Sequence, residues 1–277
     1  MRIGIFAKTF PQTGAEAVLG AVCAAGYGCA QFNMACLGLP SMPDAIEASD
    51  AASVASAARR TGVAVAAVSG TYNMIHPDPK QRDKGLARLK LLIANAPAMG
   101  TGLVTLCTGT RNAQDQWAWH PDNAGAEAWR DLVVEMGKAV EAAEHHDVDL
   151  GIEPELANVV ASADLARRLL DEIGSPRLRI VLDPANLFEV AGREQRLHLV
   201  EHAIDRLADR LAMAHAKDRA PDGSFVAAGR GVVDLPHFVR ELTKAGFSGP
   251  LVTHGLTQAE APQVARYLAQ VIAEAGA

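Results

Sequence analysis

The sequence predicts an α/β protein that folds as a single (β/α)8 barrel over residues 1–277. Short apolar runs rich in Val, Ile, Leu and Ala alternate eight times with longer stretches of helical spacing, and no linker interrupts them. Each unit has about 35 residues, which leaves no room for a second domain. A doubly wound open sheet is the competing architecture, but the first strand-to-helix turn, residues 8–14, lacks its GxGxxG phosphate-binding pattern.

The predicted strands are residues 3–7, 29–32, 63–69, 103–107, 149–153, 179–183, 211–215 and 251–254. Three of the intervening helical patterns begin at expected caps, with Thr13 before 15–25, Asp44 before 46–60 and Ser162 before 165–173. Glycines follow several helical patterns at the position that favours a left-handed backbone, and these are Gly26, Gly62, Gly100 and Gly246.

Composition excludes several functional classes. The chain is 49% hydrophobic and 21% charged, which is typical of a globular protein, and its net charge of -6 disfavours nucleic acid and anionic membranes as partners. We find no run long enough to span a bilayer and no secretion signal near the first residues. The four cysteines form no CxxC pair, so a reduced, cytoplasmic location is expected.

Polar residues end four successive predicted strands, where a barrel places its chemistry. They are Glu153, Asp183, His215 and His254, separated by 30, 32 and 39 residues. Because each separation is about one βα unit, we expect the four side chains side by side on one rim. Oxygen and imidazole donors suit a divalent ion such as Mn, Zn, Co, Fe or Mg. The alternative is that these residues are polar because the strands emerge into solvent there.

With these motifs the sequence resembles the xylose isomerase-like TIM-barrel superfamily, which includes sugar isomerases and epimerases related to ketose 3-epimerases and inosose dehydratases. The most specific pieces are Glu-Pro at Glu153, Leu-Asp-Pro-Ala-Asn at Asp183, His-Ala-Lys-Asp at His215, and the glycine-containing stretches 229–231 and 246–251. The resemblance implies one divalent ion held by a glutamate, an aspartate, a histidine and a final glutamate. It also implies that the two glutamates shuttle a proton.

The fourth position departs from that pattern, because His254 stands where the ketose epimerases have their second glutamate. Imidazole favours Mn, Zn, Co or Fe over Mg. If His254 does not bind the ion, its titration near neutrality makes it a catalytic acid or base instead.

The resemblance implies a sugar, sugar phosphate or keto-sugar isomerase or epimerase that abstracts a proton next to a carbonyl through a metal-bound enediolate. Glu153 takes the proton or, failing that, Glu155, which lies two residues further on the same side of the extended run. Glu155 is equally well explained as a loop carboxylate held by Lys217 or Arg219. A lyase or dehydratase using the same enolisation and a non-catalytic sugar-binding barrel are the alternatives.

A further rival is phosphodiester cleavage, since endonuclease IV resembles the same superfamily. That chemistry needs more metal ligands, and this chain has Cys107 rather than a histidine at the end of the fourth strand. The acidic net charge also argues against a nucleic-acid substrate.

Two loops are predicted to bind a carbohydrate substrate. The loop after strand four contributes Arg111, Trp117, Trp119 and His120 as a lid, because indole faces cover sugar C–H surfaces. The alternative is that the two tryptophans pack on the rim or in a homodimer contact. The loop after strand three contributes Asn73 and His76.

Two basic residues complete the predicted substrate site. Lys217 lies two residues beyond His215 and could bind a substrate oxygen or phosphate, or form a salt bridge with Asp218 or Asp183. Arg230 lies between Gly229 and Gly231, a pattern that would suit a phosphate.

Overall fold

Eight parallel strands close into a barrel within residues 1–276, the part of the chain that the computed structural model describes. The barrel strands are β1 (Arg2–Phe6), β2 (Cys29–Phe32), β3 (Ala64–Ser69), β4 (Leu103–Cys107), β5 (Asp149–Glu153), β6 (Leu178–Leu182), β7 (Leu211–Ala216) and β10 (Pro250–Thr253). An antiparallel pair, β8 (Asp218–Arg219) and β9 (Phe225–Val226), lies in the loop after β7. The ring closes where Ile3 of β1 pairs with Leu251 of β10.

Helices alternate with the barrel strands along the chain. They are α1 (Ala15–Ala24), α2 (Ala48–Thr61), α3 (Pro79–Met99), α4 (Ala126–His146), α5 (Ala163–Ile173), α6 (Arg193–Leu207), α7 (Leu235–Lys244) and α8 (Ala261–Glu274). Short 3-10 turns span Ala7–Thr9, Met34–Leu37, Pro121–Ala124, Pro184–Asn186 and Ala208–Arg210. In the described residues, none of the helices has the length and apolar character needed to cross a bilayer.

The predicted fold class is confirmed, since the barrel has the strands and the alternation that the sequence pattern indicates. The predicted ranges of β2, β4 and β5 are those of the structure, and the other barrel strands differ by one residue at one or both ends. The predicted glycines also have a left-handed backbone, with φ of +94° at Gly26, +73° at Gly62, +90° at Gly100 and +79° at Gly246.

The helix caps agree less well. Ser162 caps α5 as predicted, because its Oγ accepts a hydrogen bond from the Leu165 N–H at 3.2 Å. The prediction of Thr13 for α1 is wrong by one residue, because Gly14 has φ of +96° and occupies the cap.

The prediction of Asp44 for α2 is also wrong. The Asp44 carboxylate pairs with Arg88 at 2.7 Å, while Glu47 caps the helix and forms a reciprocal capping box with Asp50. Helix α2 therefore begins at Ala48 rather than near Ile46.

The barrel interior explains how the fold positions a site. An apolar layer fills the interior, and it consists of Ala67, Leu103, Val181, Met213 and Val252. Because side chains of a strand alternate between its faces, the residues two positions further along also point inward. Those next positions are Ser69, Thr105, Asp183, His215 and His254, so the polar end of the interior lies directly above its apolar layer.

Candidate active site

Four potential metal ligands converge at the carboxyl ends of neighbouring strands. One ligand atom from each of Glu153, Asp183, His215 and His254 can be chosen so that all lie within 4.8 Å of one another. Glu153 ends β5 and His215 lies in β7, while Asp183 and His254 directly follow β6 and β10. These strands are consecutive neighbours around the barrel, which is why residues far apart in sequence meet here.

Asp183 lies at the centre of the cluster and is fully buried. Its Oδ2 is 3.3 Å from His254 Nε2 and 3.4 Å from Lys217 Nζ. Its Oδ1 accepts the backbone N–H of Ala185 at 2.9 Å and so caps the 3-10 turn that follows β6. Burial opposes ionisation, but the charge of Lys217 and the hydrogen bond and charge of His254 hold the pKa of Asp183 well below its usual range.

Glu153 and His215 form a close pair in this cluster. Glu153 Oε1 lies 3.2 Å from His215 Nδ1 and also accepts a hydrogen bond from Asn186 Nδ2 at 2.7 Å. Burial opposes the charged form of both groups, but their mutual attraction outweighs it, so the pKa of Glu153 is lowered and the pKa of His215 is raised. A metal ion would take the place of the shared proton.

His254 differs from His215 in its electrostatics. Burial lowers the pKa of His254, and the hydrogen bond to Asp183 only partly opposes this effect. The two imidazole rings lie edge to face with centroids 4.6 Å apart. A neutral imidazole has a free nitrogen lone pair, so His254 is in the state that a metal ligand requires.

The donor set fits a divalent ion. Two carboxylates and two imidazoles match the mixed oxygen and nitrogen ligands of Zn and of other first-row transition ions. When ionised, Glu153, Asp183 and the nearby Glu155 have three negative charges, which Lys217 and a divalent ion would balance.

A cavity of about 310 Å³ lies over this cluster. Its walls combine uncharged polar side chains from the first strands with ionisable residues, which are Lys8, Cys107, Glu153, Glu155, His215, Lys217 and His254. Such a volume lies at the lower end of the usual range for small-molecule sites.

Glu155 lines this cavity, as its period-two relation to Glu153 predicts. Burial and the negative charge of Glu153 raise the pKa of Glu155 to about 7. Its Oε2 accepts a hydrogen bond from Asn158 Nδ2 at 3.2 Å. The alternative was that Lys217 or Arg219 holds Glu155 as a loop carboxylate. Within the described residues Glu155 forms no ion pair with either of them.

Of the predicted substrate-binding residues, Lys217 and Trp117 line the cavity. The Lys217 Nζ donates to Asn186 Oδ1 at 2.9 Å and lies 3.8 Å from the centroid of the Phe225 ring. The salt bridge predicted as its alternative role is present with Asp183. Trp117 is 52% exposed, so one part of the indole faces solvent and another faces the cavity.

Four other predicted residues use their polar atoms within the loops. Asn73 Oδ1 accepts the Thr110 N–H at 2.9 Å, and His76 Nε2 lies 3.2 Å from the Ala113 carbonyl. Arg111 pairs with Asp131 at 2.7 Å. His120 Nδ1 accepts the Asp122 N–H at 3.3 Å and caps a 3-10 turn. The structure thus places these four residues in loop packing, outside the lining of the cavity.

Trp119 and Arg230 also lie outside that lining. Trp119 is 61% exposed. Arg230 donates to Gln263 Oε1 at 2.9 Å, on the side of α8. The glycines beside Arg230 have a structural explanation, because the N–H groups of Gly229 and Gly231 both donate to the buried Asp218 carboxylate, at 3.1 and 2.8 Å.

Sequence reasoning missed the cavity residues of the first four strands. Gln31, Ser69 and Thr105 line the cavity, and each is a polar residue within an otherwise apolar strand. The signal was available, because Ser69 and Thr105 directly follow the inward-facing Ala67 and Leu103 in the period of two.

The chain belongs to the xylose isomerase-like TIM barrel family, since the sequence model of that family matches residues 20–274. The resemblance that the motifs indicate is therefore confirmed. No curated protein matches the sequence significantly.

Solved structures agree with this assignment. An L-ribulose 3-epimerase superimposes with a TM-score of 0.76 at 17% identity, covering 99% of this chain and 95% of that chain. A D-psicose 3-epimerase from Clostridium cellulolyticum H10, solved with D-tagatose, gives 0.74 at 16% identity, covering 98% and 99%. The IOLI protein, solved with a zinc atom, gives 0.75 at 16% identity, covering 99% of both chains. At such identities the likeness establishes the shared fold.

Proposed function

We propose that this protein is a divalent-metal-dependent sugar isomerase or epimerase that transfers a proton next to a carbonyl group. One observation supports the proposal most directly: the ligand atoms of Glu153, Asp183, His215 and His254 lie within 4.8 Å of one another beneath a cavity of about 310 Å³. These four residues would hold the ion. The neighbours named above include two sugar epimerases and a zinc-containing protein, which agrees with this assignment.

A divalent ion in this site would act as a Lewis acid toward the carbonyl and a neighbouring hydroxyl of an open-chain sugar. The ion is Mn, Zn, Co or Fe in preference to Mg, because two of the four ligands are imidazoles.

The chain supplies the proton acceptor. Within the described residues the contacts of the Glu153 carboxylate fall on Oε1, where Asn186 and His215 approach, so Oε2 is available to a substrate proton. Glu155 is the second acceptor, since it lines the same cavity and is not one of the four converging ligands. His254 would return a proton if it does not bind the ion.

The cavity walls suit a carbohydrate. Trp117 offers an indole face to sugar C–H groups, and Ser69 and Thr105 offer hydroxyls to sugar oxygens. The ammonium of Lys217 lies beside Asp183, at the edge of the ligand cluster. From that position Lys217 would donate a hydrogen bond to a substrate oxygen.

The test begins with the metal content of protein purified without chelator, measured by elemental mass spectrometry. We expect about one equivalent of Mn, Zn, Co or Fe per chain, and its loss in Glu153→Gln. The loaded protein is then incubated in D2O with a panel of ketoses, keto-sugars and their phosphates. Deuterium appearing at the carbon next to the carbonyl supports the proposal.

The products of this incubation distinguish the proposed isomerase or epimerase from the alternative functions. A product that has lost water would assign the elimination chemistry of a dehydratase. If the metal-loaded protein binds sugars but exchanges no deuterium with any of them, the proposed enzymatic function is contradicted and a non-catalytic sugar-binding barrel is favoured.

A further inference from the structure

Gln31 connects the uncharged side of the cavity to the metal-ligand cluster. Its side chain is 8% exposed and lies on β2. The amide Nε2 donates to Ser69 Oγ at 3.1 Å and to Thr105 Oγ1 at 3.0 Å. The amide Oε1 lies 2.9 Å from His215 Nε2.

These contacts determine how the imidazole ring is protonated. A carboxamide nitrogen has two hydrogens, and the hydroxyls of Ser69 and Thr105 accept both. The oxygen that faces His215 can only accept, so His215 Nε2 must carry a hydrogen. In the neutral ring the lone pair is then on Nδ1, 3.2 Å from Glu153 Oε1 and 3.9 Å from Asp183 Oδ2. That nitrogen lies inside the cluster.

Two acceptors face the ring nitrogens of His215, Gln31 Oε1 at Nε2 and the Glu153 carboxylate at Nδ1. The residue is 3% exposed, and its hydrogen bonds within the described residues are those to Gln31 and Glu153. Solvent therefore has little access to the ring. An ion bound to Glu153 would take the place of a hydrogen on Nδ1, so Gln31 is then the acceptor that keeps the one hydrogen of the neutral ring on Nε2.

The backbone is built to bring Gln31 to this place. The register between β2 and β3 shifts at this residue, so that Ala30 pairs with Val65 but Gln31 pairs with Ala67. Ala67 belongs to the inward-facing layer of the barrel, and Ser69 is the next inward residue of β3. An irregularity of this kind re-aims a side chain, and here it aligns Gln31 with the inward row.

We propose that Gln31 is a positioning residue that holds His215 in the Nε2–H form and thereby presents Nδ1 to the metal ion. This inference rests on the proposed metal centre. An outer hydrogen bond of this kind fixes the tautomer and the ring orientation of a metal-ligating histidine, and its loss typically weakens metal binding by roughly 10- to 100-fold.

The first experiment reads the tautomer in protein loaded with Zn²⁺, a diamagnetic ion. 15N NMR of the histidine-labelled protein is recorded at neutral pH, and His215→Gln identifies the signal. We expect the proton on Nε2 in the wild type. A proton on Nδ1 would overturn the inference, and this measurement requires no variant of Gln31 to fold.

The second experiment measures Mn²⁺ affinity by competition with a chelator in two variants of Gln31. Gln31→Met keeps the length of the side chain but removes the acceptor, so we expect roughly 10- to 100-fold weaker binding and a mixture of tautomers. Gln31→Glu keeps an acceptor for the Nε2 hydrogen, because the hydroxyls of Ser69 and Thr105 can rotate to donate to the carboxylate. We expect it to rescue both the tautomer and the affinity.

The matched control is Gln195→Met, at an exposed position on α6, with circular dichroism confirming the fold of each variant. Equal Mn²⁺ affinity in Gln31→Met and Gln195→Met would overturn the inference. A wild type that binds no divalent ion would contradict the proposed function, whereas an ion bound with the His215 proton on Nδ1 would contradict only the role of Gln31.

Discussion

The two halves of the barrel present different chemistry to the same cavity. The strands β5, β6, β7 and β10 supply ionisable side chains at their ends, whereas β2, β3 and β4 supply Gln31, Ser69 and Thr105. We refer to these as the ionisable half and the neutral half. In the proposed function, the ionisable half would bind the metal and move protons, while the neutral half would orient a substrate and position the ligands through hydrogen bonds.

The ionisable half is stable only because its charges are paired. Taking carboxylates out of water is costly unless cations or hydrogen bonds compensate them. Lys217 is fully enclosed against Asp183, and His215 pairs with Glu153. The substitutions below test whether this half, and not its neutral counterpart, holds the ion.

Removing the central carboxylate should have the largest effect. Asp183→Asn deletes a proposed metal ligand and leaves the buried Lys217 without its anion. We expect metal binding to weaken by more than about 100-fold, beyond the range typical of outer hydrogen bonds. The free energy of unfolding should also fall by roughly 3 kcal/mol, because a buried charge loses its partner. Elemental analysis and chemical denaturation measure the two effects.

The control for Asp183→Asn is Asp205→Asn, at an exposed position on α6. Retention of a full equivalent of metal in Asp183→Asn would break the comparison, because the central carboxylate of the ionisable half would then not be needed for the ion.

Substituting His254 should have a smaller effect. His254→Ala removes one of the four proposed ligands but leaves Glu153, Asp183 and His215 in place, so we expect metal binding to weaken by at least the roughly 10-fold typical of losing an outer hydrogen bond. His198→Ala, on the exposed surface of α6, is the matched control. If affinity is unchanged while turnover disappears, His254 is an acid or base and not a ligand.

The sequence predicts the ionisable half well because the strands around it are regular. Glu153, Asp183, His215 and His254 follow apolar runs at intervals of one βα unit, and parallel strands bring such ends together. The period of two also predicts the cavity positions of Glu155 and Lys217. The positions of these six residues therefore follow from the strand pattern of the sequence and from the closure of the barrel.

The neutral half and the loops are harder to predict for physical reasons. Gln31 is aligned by a register shift between β2 and β3, which depends on tertiary pairing. Asn73, His76 and Arg111 have side chains that suit a sugar, but loop hydrogen bonds use their polar atoms. Residue type in a loop does not reveal which partner the folded chain provides.

The two tryptophans of the loop after β4 test the boundary of the neutral half. Trp117 lines the cavity, while Trp119 lies outside its lining. We expect Trp117→Ala to raise KM by about 5-fold, since an aromatic contact is worth roughly 1 kcal/mol beyond its buried area. Trp119→Ala should change KM by less than about two-fold. Steady-state kinetics on the sugar found in the D2O screen provides the measurement, and equal effects would contradict this boundary.

The smallest effect is expected at a basic residue of the loop after β7. Arg230 donates to Gln263 beside α8 and does not line the cavity, whereas Lys217, from the same loop, is enclosed beside Asp183. Arg230→Ala should therefore leave metal content and kcat/KM within about two-fold of the wild type, and change the free energy of unfolding by less than about 0.5 kcal/mol. Lys217→Met is the contrasting variant, and we expect it to reduce kcat/KM strongly. A loss in Arg230→Ala confined to phosphorylated sugars would mean that the substrate extends beyond the cavity, and the ionisable half would then include a phosphate site.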